Sequence, residues 1–173
     1  ARHKKVEIAA VSSKSFEGKT LSSVYPALYG ICDLTLVDED AVIAKSDVIF
    51  ASLPHGLCQQ IAQKCIPQGK ALIDLGADFR LEDEADYKEW YAGEYIAPEL
   101  HAQAVYGLPE LYADKIQKTR LIANPGCYPT SAALGLYPAL QAQIIDPATI
   151  IIDSKSGVTG AGRGLTLTSH YPE

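Results

Sequence analysis

The sequence predicts an α/β protein: a doubly wound parallel sheet followed by the start of a second α/β domain. Three observations carry this. The short apolar runs at 47–53, 71–75 and 120–123 are continuous rather than alternating, as in strands buried on both faces. Stretches of helical character lie between such runs, the alternation of a parallel sheet with its crossover helices. Turn residues close the runs, with Pro54-His55-Gly56 after the first, Gly76 after the second and Pro125-Gly126 after the third.

Taken in order, a first strand is expected at 6–11 and a polar loop at 12–18. Pro26 argues against a long helix over 21–29, because its ring lacks an N–H and blocks the preceding turn. A short strand follows at 34–37. Asp38 or Asp40 can cap a brief helix through Ala44 by accepting from a free first-turn N–H. After the strand at 47–53 a helix is expected at 57–66, stopped by Pro67-Gln68-Gly69. The strand at 71–75 leads into Gly76-Ala77-Asp78-Phe79-Arg80, and acidic and aromatic residues over 82–91 predict a partly exposed helix. Tyr106-Gly107-Leu108-Pro109-Glu110 forms a turn before a short helix at 110–115. The strand at 120–123 precedes Cys127 and a helix beginning at Pro129, a position that needs no N–H. Pro138 is expected to kink or end that helix. A last strand at 148–155 leads into the glycine-rich stretch 156–164. Composition shifts near Pro125, placing the domain boundary between 1–126 and 127–173.

At 173 residues the chain is long enough for one domain with a real core and part of another. With 47% hydrophobic and 21% charged residues it reads as soluble and globular. A net charge of −6 argues against nucleic acid or an anionic membrane as partner. The basic start, Arg2 to Lys5, precedes too short and polar a run for a signal peptide, and no run is long enough to span a membrane. Cys32, Cys58, Cys65 and Cys127 form no C-x-x-C pair, and the histidines do not cluster with them. No metal site is expected, and scattered cysteines fit a reducing cytoplasm.

The stretch Asn124-Pro125-Gly126-Cys127-Tyr128-Pro129-Thr130 places a cysteine between a strand and a helix start. Unpaired first-turn N–H groups and the positive helix end would stabilise a thiolate and receive a developing oxyanion. Such a position can lower a cysteine pKa into the range of about 3.5–7.5. On these residues alone, Cys127 reads as a nucleophile or as a buried structural thiol.

Several motifs stand together: Leu53-Pro54-His55-Gly56; Gly76-Ala77-Asp78-Phe79-Arg80; Tyr106-Gly107-Leu108-Pro109-Glu110-Leu111; Pro125-Gly126-Cys127-Tyr128-Pro129-Thr130; and Ser156-Gly157-Val158-Thr159-Gly160-Ala161-Gly162-Arg163. In this order and rough spacing they resemble the N-acetyl-gamma-glutamyl-phosphate reductase family. Near relatives are the aminoadipyl-phosphate reductases of lysine biosynthesis and, further off, the aspartate-semialdehyde dehydrogenases. The resemblance implies an NADP-binding Rossmann-like domain over 1–126 and the beginning of a catalytic and dimerisation domain over 127–173. It implies NADPH-dependent reduction of an acyl phosphate, N-acetyl-glutamyl 5-phosphate, to the semialdehyde, within arginine biosynthesis. It makes Cys127 the nucleophile that forms a thioester. It also implies a cytoplasmic homo-oligomer with a small-molecule substrate.

Ser12, Ser13 and Lys14 follow the first visible strand, where a dinucleotide fold meets the adenine ribose. Hydroxyls and a cation there, in place of an acid, favour NADP. Pro54, His55 and Gly56 are expected to touch the cofactor, as are Ser156, Gly157 and Gly160. Arg80 either pairs with Asp78 or holds a substrate carboxylate, and Arg163 is assigned to substrate phosphate or carboxylate.

The family opens with a strand and a Gly-rich pyrophosphate turn, and no such sequence precedes Val6. The family's acid–base histidine lies in a later segment, expected beyond residue 173; His170-Tyr171-Pro172-Glu173 only mimics it in composition. The chain is therefore expected to be an internal piece of a longer enzyme. Alone, it is expected neither to fold natively nor to turn over, with 6–11 and 47–53 flanking an empty strand slot. Two other classes compete: a thiol hydrolase or acyltransferase, which would pair Cys127 with a histidine, and a non-catalytic nucleotide-binding piece.

Overall fold

The structure, a computed structural model, describes residues 3–161. It divides into two compact units, Ala1–Pro125 and Gly126–Glu173.

In the first unit the strands are β1 (Val11–Ser12), β2 (Leu36–Val37), β3 (Val48–Ala51), β4 (Ala71–Asp74), β5 (Val105–Tyr106) and β6 (Leu121–Ala123). Interleaved with them are α1 (Leu21–Val24), α2 (Glu39–Lys45), α3 (Cys58–Cys65), α4 (Glu84–Tyr91), α5 (Pro98–His101) and α6 (Pro109–Ile116). Four strands form a parallel sheet in the order β3-β4-β6-β5, and β1 pairs with β2, also parallel, in a sheet of its own. The alternation of strand and crossover helix is the α/β architecture that the apolar runs predict. Pairing is in register: Ala51 lies beside Asp74, Asp74 beside Ala123, and Ala123 beside Tyr106. All four strands thus end at one edge, which carries the loops that follow Ala51, Asp74, Tyr106 and Ala123.

The core lies on one face of that sheet. Ile49, Ala51, Leu72, Leu121 and Ala123 point into it from the strands and meet Ile61, Ala62 and Cys65 of α3. Leu72 and Leu121 are almost wholly buried, worth about 1.5–3 kcal/mol each relative to exposure. On β3 the alternate residues Val48 and Phe50 face outward and stay exposed.

Local chemistry sets the helix ends. Asp38 caps α2, accepting from the Ala41 N–H at 2.6 Å, and Asp83 caps α4, accepting from Ala85 at 2.7 Å. The chain leaves the turn after α3 through Gly69 at φ 76°, a left-handed conformation that glycine adopts without a Cβ clash.

Besides α5 and β5, which the sequence did not single out, three elements differ from expectation. The strand expected at 6–11 is reduced to Val11–Ser12, because β2 offers a parallel partner only at Leu36 and Val37. Residues 6–10 find no ladder among the described residues, and Val6 and Ile8 are exposed. The segment 148–155 is not a strand: a 3-10 turn, Pro147–Thr149, is followed by irregular chain with Ile151 and Ile152 exposed. Its apolar run has the strand pattern but no partner strand among the described residues.

The third difference lies in the second unit, where α7 (Cys127–Gln141) starts two residues before Pro129 and runs through Pro138. Pro138 lacks only its own N–H, and the helix continues for about another turn to an Ala142 N–H bonded to Pro138 and Leu140. Within β1 and β3 the unpaired edges do not meet: among the described residues the two strands lie in separate sheets.

Candidate active site

The carboxyl edge of the four-stranded sheet gathers most of the singled-out residues of the first unit. The chain leaves β3 through Pro54-His55-Gly56, and Gly56 takes φ +84° with nothing within 4 Å of where a Cβ would stand. The turn is bonded from across the sheet edge. The carboxylate of Asp78, only 1% exposed, accepts from the Gly56 N–H at 2.7 Å and the Cys58 N–H at 2.9 Å. It also accepts from the Tyr87 hydroxyl of α4 at 3.1 Å. Asp78 therefore lies at the N-terminus of α3, where a negative charge is favoured by the free N–H groups and the helix dipole. Its partners lie 22 and 20 residues upstream, and no ion pair between Asp78 and Arg80 occurs among the described residues.

Arg80 has other work. Its Nε donates to the carbonyl of Asn124 at 2.8 Å and its Nη2 to that of Leu75 at 3.2 Å. The Asn124 N–H in turn donates to the Asp74 carbonyl at 2.9 Å. Arg80 is thus a tie between the loops after β4 and β6, with its guanidinium orientation fixed at the sheet edge. Beside it Gly107 passes close to β6: a Cβ there would come within 2.8 Å of Ile122 Cγ2 and 3.2 Å of the Ala123 carbonyl. Only a glycine fits that approach.

Beneath the edge lies a buried acid. Asp74 is fully buried, its Oδ1 accepts from the Gly76 N–H at 2.8 Å, and its Oδ2 has no N–H or O–H partner among the described residues. Burial raises its pKa, against the opposing pull of the Gly76 N–H. The Cys58 thiol is pushed far up, by burial first and then by Asp74.

A pocket of about 690 Å³ opens on the His55–Gly56 turn and reaches α4, with Gln59, Tyr87, Tyr91 and Glu94 in its lining. The His55 ring lies 5.0 Å from that of Tyr91, centroid to centroid. Deeper, Gln59 donates to the Glu94 carbonyl and accepts from the Ile96 N–H, which docks residues 94–96 onto α3.

At the end of β1, Ser12 is exposed and Ser13 half-buried, and Lys14 Nζ lies 3.4 Å from Glu39 Oε1 at the start of α2. An acid is thus near Ser12–Ser15 through space, a stretch that has none of its own. A nicotinamide dinucleotide is compatible with this donor set: a left-handed glycine turn open to close approach, and hydroxyls with a cation after β1.

In the second unit, Cys127 is the first residue of α7, with Gly126 as N-cap, and it is exposed. Thr130 bonds back to the Gly126 carbonyl through both its N–H at 3.0 Å and its Oγ1 at 2.8 Å, fixing the first turn. Ser156 and Gly157 precede a 3-10 turn, Val158–Ala161, which contains Gly160; the Gly160 N–H bonds back to the Gly157 carbonyl at 2.9 Å. Arg163 and His170 lie outside the described residues.

Sequence reasoning missed Asp78 as the anchor of the His55–Gly56 turn and Asp74 as a buried acid. For Asp74 the available signal was a carboxylate at the end of an apolar strand; Asp78 gave none, because its backbone partners lie 20 and 22 residues upstream. Among the described residues no helix is long and apolar enough to cross a membrane, and no group of three or more His, Cys, Asp or Glu is placed to hold a metal ion.

The chain matches two family profiles in succession: "Semialdehyde dehydrogenase, NAD binding domain" over residues 1–119 and "Semialdehyde dehydrogenase, dimerisation domain" over residues 127–173. It is 53% identical over 171 residues to a protein of Clostridium botulinum (strain Eklund 17B / Type B) named N-acetyl-gamma-glutamyl-phosphate reductase, covering 99% of this chain and 50% of that protein. Proteins of the same name from Desulforamulus reducens and Brachyspira hyodysenteriae are 51% and 50% identical, each covered to 51% of its length. The chain spans about half the length of the curated relatives it matches.

Proposed function

From the premise that this chain belongs to the semialdehyde dehydrogenase family, we propose that the protein carrying it is an NADPH-dependent acyl-phosphate reductase. It converts N-acetyl-glutamyl 5-phosphate to N-acetyl-glutamate 5-semialdehyde and phosphate, in arginine biosynthesis. The names of its relatives support the substrate. The observation that carries the chemistry is the place of Cys127, an exposed thiol at the first residue of a helix, with Gly126 as its N-cap.

In this reading residues 1–126 bind the cofactor and 127–173 begin the catalytic and dimerisation domain. The Cys127 thiolate attacks the acyl carbon. A C–S bond forms, the C–O bond to phosphate breaks, and phosphate leaves. N–H groups at the start of α7 stabilise the oxyanion that develops on the way. Bound NADPH supplies the hydride that reduces the acyl group. The Cys127 sulfur then departs as thiolate and the aldehyde is released. Ser12, Ser13 and Lys14 receive the 2′-phosphate of the cofactor, and Pro54, His55, Gly56, Ser156, Gly157 and Gly160 contact the rest of it. Arg80, oriented by its two carbonyl bonds, presents its remaining donors to the substrate carboxylate, together with Arg163. A homo-oligomer in the cytoplasm accords with the dimerisation profile and with cysteines that are all free. The test is NADPH oxidation by the purified full-length protein. The account expects acyl-phosphate-dependent oxidation that Cys127→Ala abolishes; activity surviving that substitution contradicts it.

A further inference from the structure

The His55–Gly56 turn has one bond of its own, from the Leu57 N–H to the Pro54 carbonyl at 3.3 Å, at the long end of the hydrogen-bond range. It contains a residue at φ +84°, a conformation with no intrinsic stability advantage, and it has no capping side chain of its own: Leu57, which precedes α3, makes no side-chain cap bond. Its shorter bonds come from Asp78, delivered by the loop after the neighbouring strand β4. Its two oxygens divide the labour, Oδ1 taking the Gly56 N–H and Oδ2 the Cys58 N–H. The Tyr87 hydroxyl holds the carboxylate itself, and a Cβ on Gly93 would stand 2.7 Å from the Tyr87 ring, so the segment after α4 packs tightly against that tyrosine. The carboxylate is buried and tied to three donors, so its orientation has little freedom.

We infer that Asp78, held by Tyr87, is a positioning residue for cofactor binding: it presets the Pro54-His55-Gly56 turn in the shape that receives the dinucleotide. This rests on the reading that the turn contacts the cofactor. The argument is one of preorganisation. A turn with a left-handed residue, left to itself, populates many conformers. Binding then has to order it, and the apparent affinity falls by the fraction that is competent. An Asn at 78 offers one acceptor oxygen but turns an N–H₂ toward the second backbone N–H. It therefore breaks the bidentate grip while keeping the shape.

The test uses the full-length protein and NADPH as the probe. For Asp78→Asn the expected result is a rise of about tenfold in the NADPH Kd, read by cofactor fluorescence. The NADPH KM should rise in parallel, with the acyl-phosphate KM and kcat changed less than about twofold. Amide hydrogen exchange at Gly56 and Cys58 should accelerate selectively. A folded Asp78→Asn protein with an unchanged NADPH Kd overturns the inference. If that variant does not fold, Tyr87→Phe decides, since it removes one donor and leaves the carboxylate. A rise of about threefold in the NADPH Kd supports the inference, and no change overturns it. His55→Ala and Gly56→Ala separate the two levels. If they weaken NADPH binding and Asp78→Asn does not, the positioning role alone fails; if none of the three does, the cofactor reading of the turn fails with it.

Discussion

Arg80 Nε donates to the backbone carbonyl of Asn124 at 2.8 Å, joining the loop after β4 to the loop that leads toward Cys127. A second bond, Nη2 to the Leu75 carbonyl, makes the side chain a two-point tie at the sheet edge. Hydrogen bonds with a charged partner contribute roughly 1.5–3 kcal/mol. Arg80→Ala is therefore expected to lower the stability of the full-length protein by about that amount in a chemical denaturation series. Arg80→Lys should recover only part of it, because an ammonium cannot reproduce the planar fork. Wild-type stability in Arg80→Ala contradicts the tie.

His101 is a second buried tie, with a pH signature. Its Nε2 lies 3.0 Å from Gln59 Oε1, an acceptor, so the neutral ring donates from Nε2, while the buried Nδ1 has no partner among the described residues. The ring is sandwiched by Tyr95 and Phe79. Burial lowers the His101 pKa to about 4, against the raising influence of Asp78, Glu84 and Glu99. An ordinary histidine titrates near 6.5, so between about 6.5 and 4 the unfolded chain binds the proton and the native state does not. Stability attributable to His101 is full above about pH 6.5 and is lost as pH falls toward 4. Asp74, with its raised pKa, has the opposite sign. The difference between wild type and His101→Gln isolates the histidine: the variant's stability should fall less steeply over this window. Parallel pH profiles would refute the assignment.

Cofactor choice is expected to depend on two loops. Ser13→Asp should shift preference from NADP toward NAD, because a carboxylate repels the 2′-phosphate and accepts from a 2′-hydroxyl. Half-buried Glu39 lies 3.4 Å from the exposed Lys14 Nζ, so Glu39→Gln should release the cation and tighten NADP binding without affecting NAD. The check is the ratio of kcat/KM for the two cofactors in each variant. An unchanged ratio in Ser13→Asp would place the ribose elsewhere.

Three of the four strands of the central sheet were legible because their signal is local; β5, of only two residues, was not, and Tyr106 was read as part of a turn. The runs that became β3, β4 and β6 carry their own apolar content and end in their own turn residues. The cap of α2 was legible for the same reason as one of two residues, Asp38 or Asp40, and it is Asp38. What failed needed a partner. The 148–155 run reads as a strand, yet a strand is a pairing and none is present among the described residues. The 6–11 run shrank to the two residues that β2 can match. In the site, Cys127 stood out through its flanking residues, although its helix begins at the cysteine rather than at Pro129. Asp78 and Arg80, two residues apart, invited a pairing with each other. In the fold their partners lie 20 or more residues away, Gly56 and Cys58 for one and Asn124 for the other, except for the nearby Leu75 and Tyr87.

The four thiols are expected to differ sharply in reactivity. Cys58 and Cys65 are buried, and burial raises the pKa of both. Cys32 is half-buried and Cys127 exposed. Iodoacetamide labelling of the native full-length protein, followed by peptide mass spectrometry, should find Cys127 modified first. Faster labelling of Cys32, Cys58 or Cys65 would count against its role.

The central claim is a covalent acyl group on one sulfur. It is tested most directly by mixing the full-length protein with N-acetyl-glutamyl 5-phosphate in the absence of cofactor, quenching in acid, and measuring peptide masses. The account predicts that the peptide containing Cys127 gains the mass of one N-acetyl-glutamyl group, that the adduct disappears on treatment with hydroxylamine as a thioester does, and that NADPH added before the quench removes it. An unmodified Cys127 peptide alongside steady-state turnover, or an adduct on Cys32, Cys58 or Cys65 in its place, would contradict it.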